Sequence, residues 1–185
     1  MKKILFPILL VGLLLGGCAD VNNSLSPTQS GNTGKMFKMP RPADMTTETV
    51  FSASQNISGN SGGYLQLSGS YQSATGLVTI QANLNVPSSA YPGEKVLYVA
   101  NSDAFAEVDF NPSISFDAPV LLNLTITGLD LTGVSPSQVG FAYISDNGSY
   151  VEPITYDNLT VNTATGTLAV TNAHLSHFSR YIFIR

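Results

Sequence analysis

Three groups of residues carry side chains capable of chemistry. Cys18 is the only cysteine, so its thiol has no internal partner and cannot staple the fold. His174 and His177 are the only histidines, and each precedes a serine by two positions, in His174-Leu175-Ser176 and His177-Phe178-Ser179. On an extended strand residues two apart share a face, which would set His177 and Ser179 together with Phe178 opposite. The triplet is either an ordinary strand end or the one reactive constellation in the chain. Asp103, Glu107 and Asp109 would share a face if residues 104–110 form a regular strand, and with loop carbonyls such carboxylates can gather Ca²⁺. The simpler expectation is a solvated acidic edge that discourages edge-to-edge pairing.

Other chemistry finds little support. The sequence has no Gly-x-Ser-x-Gly elbow, no His-Glu-x-x-His, no phosphate loop and no dinucleotide fingerprint. Two histidines and one cysteine are too few for a zinc site unless carboxylates complete it. No metal and no cofactor is therefore expected. Sugar recognition usually uses exposed flat aromatics, and the chain lacks Trp; Tyr64, Tyr71, Tyr91 and Tyr150 remain as candidates, though at strand ends such residues more often cap a core.

The N-terminal stretch sets the expected address. Lys2 and Lys3 precede an apolar run from Ile4 to Leu15, and residues 4–17 as a helix would reach only about 21 Å against a hydrocarbon core of roughly 30 Å. A signal peptide over residues 1–17 is expected rather than a retained span. It ends Leu15-Gly16-Gly17-Cys18, which resembles the lipobox of bacterial lipoprotein precursors. The resemblance implies that Cys18 is lipidated on sulfur and becomes the first mature residue. Ala19, rather than Asp, is by the same analogy consistent with an outer-membrane destination where the host has one. Without Lys2 and Lys3 the basic residues fall from 8 to 6 against 12 acidic ones, a net charge of −6. Such a surface repels nucleic acid and anionic lipid, leaving acyl chains to hold the membrane.

Residues 18–45 are rich in Ser, Thr, Asn, Gly and Pro, and read as a flexible tether. From Thr46 onward the pattern has period two. It is cleanest from Leu77 to Val86, where Val78, Ile80, Ala82, Leu84 and Val86 alternate with Thr79, Gln81, Asn83 and Asn85. Further strands are expected over residues 50–57, 64–71, 95–100, 104–110, 116–126, 139–144, 150–156, 159–162 and 168–171, with a last one running from about His177 to the end. Asp146-Asn147-Gly148 is a favoured hairpin turn, and residues 132–138 have room for one turn of helix. About nine to eleven short strands with frequent turn signals predict an all-β, antiparallel β-sandwich over residues 46–185.

Gly62-Gly63, the alternating run ending Val86-Pro87-Ser88-Ser89-Ala90, Phe116-Asp117-Ala118-Pro119-Val120 and His177-Phe178-Ser179-Arg180-Tyr181 follow an order that resembles the ZU-five domain. That module is shared by ankyrins, netrin receptors and tight-junction scaffold proteins, and the resemblance covers roughly residues 60–185. The usual Pro-Pro-Gly-Ala turn is reduced here to Pro87-Ser88-Ser89-Ala90, and no death domain is recognisable, so an animal signalling role is not implied. The resemblance does imply one reaction. In self-cleaving relatives a His-Phe-Ser triplet cuts its own backbone between Phe and Ser, and His174-Leu175-Ser176 resembles the His-Leu-Ser/Thr cleavage motif of adhesion receptors. Here His177 would take the Ser179 hydroxyl proton and the oxygen would attack the Phe178 carbonyl, giving an ester that water hydrolyses. An unstrained strand holds the hydroxyl too far from that carbonyl, so a kink would be required.

The expectation is a non-enzymatic, lipid-anchored envelope or surface lipoprotein, a structural or interaction module with an envelope protein or polymer as partner. Its alternatives are a sandwich cut between Phe178 and Ser179 and a glycan-binding surface module.

Overall fold

Alternation of apolar and polar side chains forces one face of each strand out of water, and two such sheets bury their apolar faces against each other. The structure, a computed structural model, describes residues 34–44, 46–47, 49–145 and 151–185. Its strands are β1 (Ser52–Ser58), β2 (Gly63–Ser73), β3 (Gly76–Val86), β4 (Glu94–Asn101), β5 (Glu107–Asn111), β6 (Ser115–Thr127), β7 (Gly140–Ile144), β8 (Val151–Pro153), β9 (Asn158–Asn162), β10 (Thr167–His177) and β11 (Arg180–Ile184). They form a six-stranded sheet in the order β1-β4-β5-β11-β7-β8 and a five-stranded sheet in the order β2-β3-β6-β10-β9. Every pairing is antiparallel. The all-β sandwich expected from the sequence is what the chain adopts. Among the described residues the single helical turn is a 3-10 turn at Pro136–Gln138, within the stretch that has room for one. Asp146-Asn147-Gly148 lies outside the described residues, as do residues 1–33.

The five-stranded sheet grows from the hairpin β2–β3, paired without interruption from Gly63↔Val86 to Ser73↔Gly76. Its turn is set by local bonds: the Ser73 hydroxyl donates to the Gly76 carbonyl and accepts from the Thr75 amide. Val78, Ile80, Ala82, Leu84 and Val86 all point inward and are buried, as the alternation predicts. In β10 the alternation breaks between Val170 and Ala173, where Asn172 adopts a left-handed φ of 48°. Asn123 Oδ1 accepts the Asn172 amide at 3.0 Å, and the extra residue returns Ala173 and Leu175 to the core face.

The end of the chain departs from expectation. Rather than one strand from His177, β10 stops at His177 and β11 starts at Arg180, and the two belong to different sheets. Phe178 and Ser179 are the corner where the chain crosses the sandwich. No glycine or proline marks this corner in the sequence. What makes it is burial: Phe178 is fully enclosed, stacked on Phe110 at 5.0 Å between centroids and edge-on to Phe116 at 4.9 Å.

A second departure lies at the other end. The expected tether over residues 18–45 stops short, because residues 34–44 lie on the sandwich. Lys35 and Arg185 exchange backbone hydrogen bonds of 2.7 and 3.1 Å, the Phe37 carbonyl accepts from the Ala106 amide, and Met39 donates to Ala104. Phe37 and Met39 are only 5% and 7% exposed. They flank the exposed Lys38 in a short strand-like pattern that Pro40 and Pro42 obscure in the sequence.

β11 sits between β5 and β7, so it has a partner on both edges. Phe183, its fourth residue, is fully buried and tilted against Phe141 at 4.8 Å. Phe183→Ala is expected to cost about 3–5 kcal/mol, a large part of the 5–15 kcal/mol typical of a domain, and removal of Arg180–Arg185 to yield insoluble protein. Urea unfolding checks the first; an unchanged midpoint would contradict the placement of this strand.

Candidate functional site

The corner that joins β10 to β11 holds the second of the two His-x-Ser triplets, and its backbone is pinned from three sides. The Phe178 amide donates to the Ile114 carbonyl at 2.8 Å, the Ser179 carbonyl accepts from the Phe110 amide at 3.1 Å, and the Tyr181 hydroxyl donates to the His177 carbonyl at 2.5 Å. The His177 imidazole packs edge-on to Tyr143 at 4.8 Å and lies 6.1 Å from the Tyr181 ring. Because the chain turns at Phe178 and Ser179, His177 and Ser179 do not share a strand face as a continuous strand would require. Among the described residues no hydrogen bond joins the His177 ring to the Ser179 hydroxyl. The bend that self-cleavage would need is present; the contact between base and nucleophile is not. His174-Leu175-Ser176 stays within β10, with Leu175 in the core and His174 and Ser176 exposed.

Tyr181 binds this corner to the core. Burial pushes its hydroxyl well above the usual tyrosine range, and the negative charges that Tyr143 and Glu152 can carry push the same way.

The acidic triad of Asp103, Glu107 and Asp109 is not assembled. β5 begins only at Glu107, Asp103 falls in the preceding bend, and β5 lies inside the six-stranded sheet rather than at its edge. The expected solvated acidic edge is therefore corrected at its central residue. Glu107 is buried, and both its carboxylate oxygens lie 3.0–3.1 Å from one Arg180 nitrogen. Arg180 stands one register step away, opposite Asp109, which puts its guanidinium within reach of Glu107. Among the described residues no three His, Cys, Asp or Glu side chains gather as metal ligands.

The tyrosines separate cleanly. Tyr71 and Tyr91 are core caps whose hydroxyls donate to the carbonyls of Pro40 at 2.6 Å and Ile57 at 2.8 Å, and burial raises both pKa values. Tyr64 is 68% exposed, at the lip of a groove of about 520 Å³ between β1 and β2. Tyr150 and Cys18 lie outside the described residues. One surface escaped the sequence reading: the outward face of the five-stranded sheet, where Gln66, Gln81, Asn83 and Thr125 lie in register. Their alternation is visible in the sequence, but which strands join one sheet is not.

The chain matches no protein-family model, no curated protein and no solved structure.

A folded-state tyrosine pKa raised above its ordinary value of 10.0 favours the fold fully below that pH, and the advantage is lost as pH climbs through 10 toward the raised value. The urea midpoint is thus expected to hold steady at neutral pH and fall above about pH 10. Tyr181→Phe should reduce that alkaline fall, leaving the part due to Tyr71 and Tyr91, while costing about 1 kcal/mol at neutral pH from the lost hydrogen bond. An alkaline fall identical in the two proteins would remove Tyr181 as its source.

Proposed function

We propose that the protein is a lipid-anchored envelope lipoprotein whose ZU-five-like sandwich serves as a non-enzymatic structural or interaction module. The observation that carries this reading is Leu15-Gly16-Gly17-Cys18 at the end of a short apolar run behind Lys2 and Lys3. The only thiol in the chain stands where lipid transfer requires one. Residues 19–33, between the lipid site and the start of the described domain, can span at most about 50 Å, so the sandwich works close to its membrane. In a host with two membranes, Ala19 favours the outer one. The acidic balance of the mature chain disfavours nucleic acid and anionic lipid as partners and leaves an envelope protein or an envelope polymer.

Cys18→Ser should abolish incorporation of radioactive palmitate and leave precursor with residues 1–17 still attached. Labelling that persists in the mutant would refute the lipid assignment.

One observation favours a second reading, self-cleavage between Phe178 and Ser179. The corner bends the chain at that bond, as attack on the Phe178 carbonyl would require. Against it stand the enclosure of Phe178 and the packing of the His177 ring on Tyr143 instead of the serine hydroxyl. The purified protein is expected to show one intact mass. A Ser179–Arg185 peptide that is released on denaturation and disappears in Ser179→Ala would establish the second reading instead.

A further inference from the structure

We infer that the outward face of the five-stranded sheet is a docking surface for a neutral, hydroxyl-rich polysaccharide. This rests on the reading of the domain as an interaction module and names the chemistry of its partner. The sheet is set apart by what it lacks. β2, β3, β9 and β10 contain no Asp, Glu, Lys or Arg, and β6 contains only Asp117, near its start. The strands of the other sheet carry Glu94, Lys95, Glu107, Asp109, Glu152 and Arg180. A face exposed only to water ordinarily carries mixed charges for solubility, and exposed edge strands carry Lys or Pro against unwanted pairing. Neither protection is present on β2 or β9.

In place of charges stand amides and hydroxyls in rows. Gln66 lies opposite Asn83 and Asn83 opposite Asn123, giving a row across three strands. The neighbouring row runs Ser68, Gln81, Thr125, Ala169 and Thr160 across all five. Rows cross strands at about 4.8 Å per step, and each amide offers both donors and acceptors. Sugar hydroxyls likewise donate and accept, and they need no counter-charge. An anionic polymer would find no Lys or Arg on the strands of this sheet, and a cationic one would find only Asp117 near the start of β6. A protein partner would usually meet aromatic and arginine anchors, and the strands of this sheet supply no arginine. The exposed Tyr64 ring, beside the groove lined by Ser54, Gln55 and Gln66, supplies one flat apolar surface for the face of a sugar ring.

The test uses the lipidated full-length protein in detergent and its retention on insoluble neutral polysaccharides (β-glucan, chitin and mannan), with polygalacturonate as the acidic counterpart. Retention on at least one neutral polymer, insensitive to salt, is expected. The double variant Gln81→Glu, Asn83→Asp keeps side-chain shape at exposed positions and should weaken retention about tenfold or more, as should Tyr64→Ala. Val96→Glu, exposed on the other sheet, should leave it unchanged. Unfolding midpoints equal to that of the parent show that the variants fold. Absence of retention on every neutral polymer overturns the proposal, as does retention that survives the double variant or a preference for polygalacturonate. Self-association abolished by the same double variant would identify a second copy as the occupant and overturn it too. Failure of the lipoprotein reading would appear separately, in the palmitate labelling of Cys18.

Discussion

The enclosure of Phe178 between the two sheets is the contact on which the arrangement of this sandwich depends. It is fully buried, it touches Phe110 of the six-stranded sheet and Phe116 of the five-stranded one, and it lies where the chain passes from β10 to β11. An aromatic ring fixed in that position decides where β10 must end. It then delivers β11 into the gap between β5 and β7 with Tyr181 and Phe183 facing inward. The backbone bonds around it leave the corner no slack: Ile114 holds one side, Phe110 the other. The residue types that look reactive in the sequence are thus recruited to a joint. His177 supplies a carbonyl to Tyr181 and a ring edge to Tyr143, while Phe178 supplies the mass.

Delivery of β11 brings a charge into the sheet interior. Arg180 enters beside Glu107, and the pair neutralises two groups that neither strand could hold alone at this depth, since a lone buried carboxylate is costly to desolvate. The ion pair also fixes register. A two-residue slip that set Arg180 opposite Asn111 would keep the aromatic face inward but carry Arg180 away from Glu107, so the pair disfavours an alignment that hydrophobic burial would tolerate.

How much of this was legible in the sequence depends on the range of the interaction responsible. Alternation is local, and it exposed the sandwich and most strand positions; the run from Val78 to Val86 is buried residue for residue as read. Corners and caps are not local. Nothing between Ser176 and Tyr181 announces a change of sheet, because the agent is a cavity lined by Phe110 and Phe116, more than sixty positions away in the chain. The packing of residues 34–44 was hidden for a related reason: Pro40 and Pro42 mark extended chain, and extended chain reads as tether until a surface for Phe37 and Met39 is known. Glu107 looked like a solvated edge because its neighbour on β11 could not be foreseen. At the candidate sites, Tyr71 and Tyr91 were rightly weighed as caps. The uncharged face needed the strand order before it could be seen at all.

The reciprocal hydrogen bonds between Lys35 and Arg185 give the two ends of the described chain a common attachment. Met36 bridges to Ile184 beside them, and the Arg185 guanidinium lies 5.6 Å from the Phe37 ring centroid. In mechanical terms this is a load path. Among the described residues, the first contact to feel a pull on residue 34 is the short antiparallel one with the end of β11. Antiparallel pairs pulled from one end open bond by bond, like a zipper, at low force. Behind that contact stand Phe37 and Met39, seated in the core, and they would have to be withdrawn from it before tension reached the sandwich. The segment would therefore work as a strain relief for a tethered domain: a pull from its N-terminal side is taken up at residues 34–44 before the two sheets lose their register.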